Sequence, residues 1–260
     1  MTVLDHFPAT ETEVLTTLTF MLAALLHGLS GMGFQMVTTS ALAGAIPLET
    51  VVAMVAVPAL LINLSALITA GPGLSFSGWW AVGRRFGALA LGCVLGSVLG
   101  VWLLQSVPPG PLYWLMAAAI FLFVWLDRRR VVWQFTPSGG LALVFGLSTG
   151  LLGGSVNAMA PPVTIYLLAS QADKNEVVLG SNLCYVVGTV VQFILLRDQI
   201  TALPAPQLET LAQATLLALG ALWLGVRWRE RLSQRRFRRL MLAVLALLGA
   251  RALFQGWAAL

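Results

Sequence analysis

The sequence predicts an all-α polytopic membrane protein of two inverted-topology repeats, each a broken, re-entrant helical hairpin followed by three transmembrane helices. Of the 260 residues, 58% are hydrophobic and only 10% are charged, whereas a soluble domain carries about a quarter charged residues. The apolar runs are continuous instead of alternating, which favours helices over a barrel. Two runs are longer than the others and are interrupted by glycines, and one of them opens each half of the chain.

Eight apolar segments follow one another along the chain. The first repeat, residues 1–130, is predicted to contain a hairpin over 14–46 and helices over 51–69, 86–105 and 112–126. The second repeat, residues 131–260, is predicted to contain a hairpin over 139–170 and helices over 177–196, 208–226 and 240–257. No polar stretch is long enough to fold as a separate soluble domain.

Each long segment contains residues that interrupt a helix. The first break runs from His27 through Gly31 and Gly33, and the second ends at the Pro161–Pro162 pair. Unpaired backbone groups at membrane depth are tolerated only where they are buried in protein or line a watery cavity. We therefore expect a binding site at the breaks, as in transporters with discontinuous helices. The alternative is a glycine-rich kink that only lets helices pack closely.

The arginines predict the topology. By the positive-inside rule, the clusters at 84–85, 128–130 and 227–239 should all be cytoplasmic. Eight single crossings would separate the last cluster from the first two, whereas two hairpins that return to the side they entered bring all three together. In that arrangement both termini are periplasmic. All but two of the 15 Lys and Arg residues are then cytoplasmic, the exceptions being Arg197 and Arg251.

Several classes of function lack their residues in this sequence. It contains no HExxH, GxSxG or Walker motif and no Cys–His cluster, so we expect no enzyme activity, no metal and no cofactor. The arginine-rich stretch joins two apolar runs without a folded module, so we expect no nucleic-acid partner. The acidic residues fall in tails, loops or segment ends, which argues against a cation site inside the bilayer. His27 is either a packing histidine or a ligand-binding or proton-carrying group.

A small anion fits the two breaks better. Hairpins that meet near the midplane direct half-helix N-termini, with free N–H groups and positive dipole ends, at a central cavity. The predicted substrate-binding residues are Gln35, Thr38, Thr39, Ser40, Gly150, Gly153, Gly154, Ser155, Asn157, Pro161 and Asn182, and Asn63, Ser181, Tyr185, Thr189 and Gln192 are candidates to complete the lining. For each polar side chain alone, an interhelical hydrogen bond is the alternative. Arg84 and Arg85 either only fix the orientation or also gather anions in a cytoplasmic vestibule.

Gly92, Gly96 and Gly100 form a stripe of small residues at four-residue spacing. Such a stripe lets two helix backbones approach closely. We expect it to pack against a helix of the same chain or, alternatively, in a homodimer.

The second break also resembles a known family. Gly150, Gly153 and Gly154 followed by Pro161, in a chain of two halves, resemble the TauE/SafE family of membrane transporters, and the resemblance covers essentially the whole chain. It implies permeation of small sulfur-containing anions such as sulfite or organosulfonates, usually outward across a bacterial inner membrane. The first half departs from the family pattern, because Phe34 occupies the break and no proline stands between it and Pro47.

We therefore expect a multi-pass transporter of the bacterial inner membrane that exports a small sulfur-containing anion, bound between the two hairpin tips at mid-membrane. The rival reading is a membrane scaffold or assembly partner, in which the polar residues only hold helices together and nothing is transported.

Overall fold

The computed structural model of the chain describes residues 9–71, 73, 75–129, 136–228 and 234–259. Those residues form eleven helices and no strand-built sheet. The helices are α1 (Ala9–Ser30), α2 (Phe34–Leu42), α3 (Leu48–Ala70), α4 (Phe76–Ser106), α5 (Pro109–Arg129), α6 (Gly139–Val156), α7 (Ala160–Ala169), α8 (Lys174–Leu195), α9 (Arg197–Thr201), α10 (Ala205–Trp228) and α11 (Gln234–Ala258). All but α2, α7 and α9 are long and apolar enough to cross a membrane. The prediction of an all-α polytopic membrane protein is confirmed.

Both long segments are broken where the sequence places helix-interrupting residues. Between α1 and α2, Gly31 and Gly33 have φ angles of 84° and 101°, a region that glycine enters without steric cost. Between α6 and α7, Asn157 has a φ angle of 57°, and asparagine is among the few other residues that visit this region. At each break, the residue with positive φ is therefore of a type that adopts this backbone conformation readily.

The helix ends extend beyond the apolar segments. α4 begins at Phe76, ten residues before the predicted start, because its first turns include the interfacial Trp79, Trp80 and the two arginines. The short α9 was not predicted. The predicted boundary between the repeats, at residue 130, lies outside the described residues, and the division into repeats stays a prediction.

Two rows of glycines join α4 and α6. The rows are Gly92, Gly96 and Gly100 on α4 and Gly146, Gly150 and Gly154 on α6. A Cβ atom built on any of the six would lie 2.1–2.5 Å from a backbone oxygen of the other helix. Position 92 meets 143, position 96 meets 147 and position 100 meets 151, so the two helices run in the same direction. The stripe predicted on α4 is therefore used within the chain.

The segment 139–169 enters and leaves on one side of the protein. Arg85, near the start of α4, forms an ion pair of 2.7 Å with Glu176, near the start of α8, and we call this the Arg85 side. α6 starts on the Arg85 side because it runs with α4. α7 ends there because only residues 170–173 connect it to α8. α6 therefore runs away from the Arg85 side and α7 returns to it.

The segment 9–42 enters from the opposite side and returns to it, and we call this the Gln199 side. Gln199 of α9 donates to Glu49 at the start of α3. α1 approaches the Arg85 side, because Gly28 packs against Gly225 near the far end of α10. α2 returns, because its last carbonyl groups accept hydrogen bonds from Arg251 and Gln255 near the end of α11.

Helices of one half pack on helices of the other. α1 packs on α10 and α6 packs on α4, while α3 packs on α8 and α5 on α11. If each helix is replaced by the helix at the corresponding place in the other half, the same four pairs result. The two broken segments are held between these pairs.

Candidate functional site

A small cavity lies between the two breaks, with room for about one water molecule. The wall is shared between the two halves of the chain. It is formed by Gly33, Phe34, Gln35 and Met36 of the first break and α2, Asn157, Met159 and Ala160 of the second break and α7, Asn63 of α3 and Tyr185 of α8. Of the predicted substrate-binding residues, the structure brings Gln35 and Asn157 together here.

Two side chains of the wall are buried without a hydrogen-bond partner among the described residues. Both the nitrogen and the oxygen of the Asn63 amide are unpaired, and so is the Tyr185 hydroxyl. These residues are only 1% and 3% exposed. Leaving a buried polar group unpaired costs about 1–3 kcal/mol. Groups that carry this cost are expected to find a partner in another state of the protein, such as water or a ligand.

At the first break, side chains of other helices hold the start of α2. The backbone N–H of Phe34 donates to Nδ1 of His27 at 3.4 Å, and Nε2 of Gln35 donates to Oγ1 of Thr189 at 3.0 Å. Asn182 donates to the carbonyl of Gly31 at 3.0 Å. His27 therefore has a local role in the break, since its acceptor nitrogen pairs with a helix-start N–H group. No side chain caps α2 at Gly33, its N-cap residue.

At the second break, Asn157 is the centre of a hydrogen-bonded cluster. Its amide donates to Oγ1 of Thr39 at 2.8 Å. Gln192 of α8 donates to the Asn157 side chain at 2.8 Å and to the carbonyl of Gly153 at 2.9 Å. The break of one half is thus tied to α2 of the other half and to α8.

The two half-helices differ in the N–H groups they offer. Pro161 and Pro162 occupy the first turn of α7, and proline has no backbone N–H. Of the first three residues of α7, only Ala160 therefore carries an N–H group. α7 therefore starts with fewer backbone donors than α2.

The tips of the two segments do not meet at one depth. The first break accepts a hydrogen bond from Asn182 and the second from Gln192. Ten positions along α8 correspond to about 15 Å. α1 and α6 are each long enough to cross a membrane. A segment that enters from one side therefore has its break near the other side. The structure therefore corrects the expected head-to-head tips to staggered ones, with Tyr185 at an intermediate level.

The other predicted binding residues lie away from the cavity wall. The hydroxyls of Thr38, Ser40 and Ser155 donate to carbonyl groups of their own helices. Gly150 and Gly154 contact α4, and Gly153 faces the Met159 side chain. Pro161 is buried in the first turn of α7. Thr39 and Asn182 hold the breaks, as described above. A substrate contact for these residues stays a prediction.

Arg84 and Arg85 lie on the Arg85 side of the protein, and Arg251 lies on the Gln199 side. Arg84 and Arg85 are exposed near the start of α4, and Arg85 is engaged with Glu176 through both of its terminal nitrogens. Arg251, one of the two exceptions to the predicted arginine distribution, donates to the carbonyl of Ala41 at 2.8 Å. A cation at a helix C-terminus is favourable, so Arg251 has a structural role on its side of the protein.

Part of the wall was not predicted from the sequence. Phe34, Met36, Met159 and Ala160 are apolar and line the cavity beside the polar groups. These residues belong to the two breaks or directly follow them. Their position next to a break is the sequence feature that could have identified them as wall residues. A search for polar residues alone passes over them.

A family model described as "Sulfite exporter TauE/SafE" matches residues 16–252 of the chain. No curated protein and no solved structure matches it. The matched region includes both breaks, all nine residues of the cavity wall and most of every crossing helix. The chain therefore belongs to the TauE/SafE family of sulfite exporters, a family of membrane transporters.

Proposed function

We propose that this multi-pass membrane protein exports a small sulfur-containing anion, sulfite or an organosulfonate, which binds in the cavity between the two breaks. Membership of the family supports the transporter class and the kind of anion. The observation that carries the location is the shared wall in which Asn63 and Tyr185 are buried without partners. Both residues line the cavity, where an anion could pair with these groups.

The wall offers neutral hydrogen-bond donors to an anion. The Tyr185 hydroxyl and the Asn63 amide are free to donate. The first turn of α2, at Gly33 to Met36, adds backbone N–H groups that have no partner within the helix. The positive end of the α2 dipole points the same way. Together these groups replace part of the hydration shell of a sulfonate or sulfite oxygen.

The two halves act as inverted repeats in this proposal, and alternating access follows from their arrangement. The helix pairing that is unchanged when the halves are exchanged supports a two-fold relation. The two broken segments return to opposite sides of the protein. Movement of the first segment would open the cavity towards one side, and movement of the second towards the other.

Orientation and direction complete the proposal. The protein lies in the bacterial inner membrane with the Arg85 side in the cytoplasm and both termini in the periplasm, as the positive-inside rule favours. An inside-negative potential then drives a monovalent anion outward by about 2.3 kcal/mol per 100 mV. Export needs no coupling carboxylate under these conditions.

Flux into proteoliposomes tests the proposal. Purified full-length protein in liposomes should move sulfite and ethanesulfonate faster than protein-free liposomes do, and a potential positive on the receiving side should accelerate the flux. No flux of either anion under either polarity would remove the transporter assignment and favour the scaffold reading.

A further inference from the structure

The Met159 side chain extends from the cavity wall into a slot between two glycines, and we call this space the Met159 slot. The glycines are Gly153 on α6 and Gly188 on α8. A Cβ atom built on Gly153 would overlap the Met159 side chain, and one built on Gly188 would lie 2.6 Å from its terminal methyl group. Met159 is only 1% exposed. The thioether therefore fills space that exists because both neighbouring residues lack a side chain.

A serine hydroxyl without a partner borders the Met159 slot. The same Cβ atom on Gly188 would lie 2.9 Å from Oγ of Ser97, a fully buried residue of α4. A serine inside a membrane helix commonly bonds to a carbonyl group of the preceding turn, but Ser97 Oγ has no hydrogen-bond partner among the described residues. Cys93 also borders the slot, and its thiol already donates to the carbonyl of Cys184 at 3.2 Å. The Ser97 hydroxyl is therefore left to bind a ligand.

The slot can be joined to the cavity by moving one side chain. The cavity has room for about one water molecule, so a sulfonate enters only if part of the wall withdraws. Phe34 is held by the ring of Phe20, with 5.7 Å between the ring centroids, whereas the unbranched Met159 side chain adapts easily to a new position. Met159 is also the N-cap residue of α7. Movement of α7 away from α8 therefore withdraws the thioether and opens the slot to the cavity.

We propose that the emptied Met159 slot is a second subsite, which takes the distal end of an organosulfonate whose sulfonate group occupies the cavity. This proposal rests on the proposed function. Ser97 pairs with a distal oxygen of the substrate, such as a hydroxyl group, and the two glycines give the carbon chain its space. Tyr185 of the cavity wall and Gly188 are three residues apart on α8 and share one face of that helix. The two subsites are therefore neighbours, and sulfite, which has no distal end, needs only the first.

Two sulfonates that differ by one oxygen atom test the subsite. Ethanesulfonate and 2-hydroxyethanesulfonate share a two-carbon skeleton and a single charge. With the full-length wild type in proteoliposomes, kcat/KM for 2-hydroxyethanesulfonate should exceed that for ethanesulfonate by about fivefold or more, because only the hydroxyl compound pairs with Ser97. Ser97→Ala should abolish this preference without lowering the Tm, since the hydroxyl that it removes has no partner among the described residues.

Ser170→Ala is the matched control for the hydroxyl. The Ser170 hydroxyl is also buried without a partner among the described residues, but it lies at the far end of α7, next to its last residue. This variant should retain the wild-type preference. Equal kcat/KM values for the two sulfonates in the wild type, or a preference that survives in Ser97→Ala, would overturn the subsite while leaving the transporter intact.

Gly188→Ala provides a second arm that does not depend on the Ser97 hydroxyl. Its methyl group would occupy the slot, so kcat/KM for both two-carbon sulfonates should fall by about fivefold or more relative to sulfite. Gly220→Ala on α10 is the matched control, because a Cβ there meets no described atom within 4 Å. An unchanged ratio in Gly188→Ala would also overturn the subsite. Absence of wild-type flux for all three anions would instead contradict the proposed function.

Discussion

At the residue scale, the cavity depends on a few side chains whose hydrogen bonds are incomplete. Asn63 and Tyr185 have unpaired groups, whereas Gln35 and Asn157 are already bonded within the protein. The two sets therefore have different roles. In the proposed function, the first set pairs with the substrate, and the second holds the breaks in position.

Removing the Tyr185 hydroxyl tests the first role. A hydrogen bond to a charged group contributes about 1.5–3 kcal/mol, so Tyr185→Phe should raise the KM for ethanesulfonate by about tenfold or more. Tyr113→Phe is the matched control, because Tyr113 is also buried but lies on α5, away from the cavity. Initial rates of flux over a range of substrate concentrations provide the measurement. An unchanged KM in Tyr185→Phe would show that the hydroxyl does not contact the anion.

Asn157 tests the second role, because its backbone and its side chain can be separated. Asn157→Gly retains the left-handed backbone at no steric cost but loses the bonds to Thr39 and Gln192. Asn157→Ala loses the same bonds and adds about 1–2 kcal/mol of backbone strain. We expect both variants to lose flux and the alanine variant to have the lower Tm in detergent. Equal Tm values for the two variants would contradict the strained backbone at this position.

The sequence predicted the break residues better than the orientation of the hydroxyls. Gln35 and Asn157 stand at the breaks, where a helix cannot satisfy their neighbours, and both line the cavity. Thr38 and Ser40 belong to the same polar cluster in the sequence, but their hydroxyls bond to their own helix, as serine and threonine do inside membrane helices. The number of hydroxyls in a segment does not reveal this difference.

At the element scale, the glycine rows of α4 and α6 position the second break. They allow backbone contact over three turns, and Gly154 lies three residues before Asn157. The sequence predicts a substrate contact for Gly150 and Gly154. The sequence also contains the pattern that indicates their contact with α4, because glycines 146, 150 and 154 repeat the four-residue spacing of glycines 92, 96 and 100. Helix–helix packing explains that spacing.

Two alanine substitutions on α4 test the glycine contact. A Cβ at Gly96 would lie 2.1 Å from the carbonyl oxygen of Leu147, whereas a Cβ at Gly87 would meet nothing within 4 Å. Gly96→Ala should therefore destabilise the protein by about 1–3 kcal/mol. Gly87→Ala should be neutral or stabilise it by up to about 1 kcal/mol through helix propensity. Denaturation in detergent measures both, and a Gly96→Ala protein as stable as Gly87→Ala would exclude direct backbone contact.

Helix lengths explain why the breaks are staggered and do not meet at mid-membrane as predicted. The apolar runs locate a break within a segment, but α1 and α6 continue for 22 and 18 residues, enough to cross before they turn. The depth of each tip depends on which helix its segment packs against. For α1 that helix is α10, far away in the sequence. No local pattern encodes this pairing.

At the scale of the whole molecule, the fold class follows from composition and run length, whereas the arrangement of the halves depends on long-range packing. The arginine count indicated two segments that return to the side they entered. Arg251 was an exception to that count, and its bond to the end of α2 provides a local reason for a cation there.

Cysteine labelling tests the proposed orientation. Cys93 and Cys184 are fully buried, so the wild type should give little background. Ser77→Cys, near the start of α4 on the Arg85 side, should react with an impermeant maleimide only after permeabilisation of the cells. Asp198→Cys, at a side chain that is 88% exposed on the Gln199 side, should react in intact cells. The reverse pattern would invert the proposed topology, and labelling of both from outside would place the two sides together.

A structure of the protein with bound ethanesulfonate would show where the anion sits. We expect density for the sulfonate in the cavity between the breaks, with oxygens within hydrogen-bond distance of Asn63 and Tyr185 and the carbon chain against Met36 or Met159. An anion bound elsewhere in the protein, with Asn63 and Tyr185 paired to each other or to neighbouring helices, would contradict it.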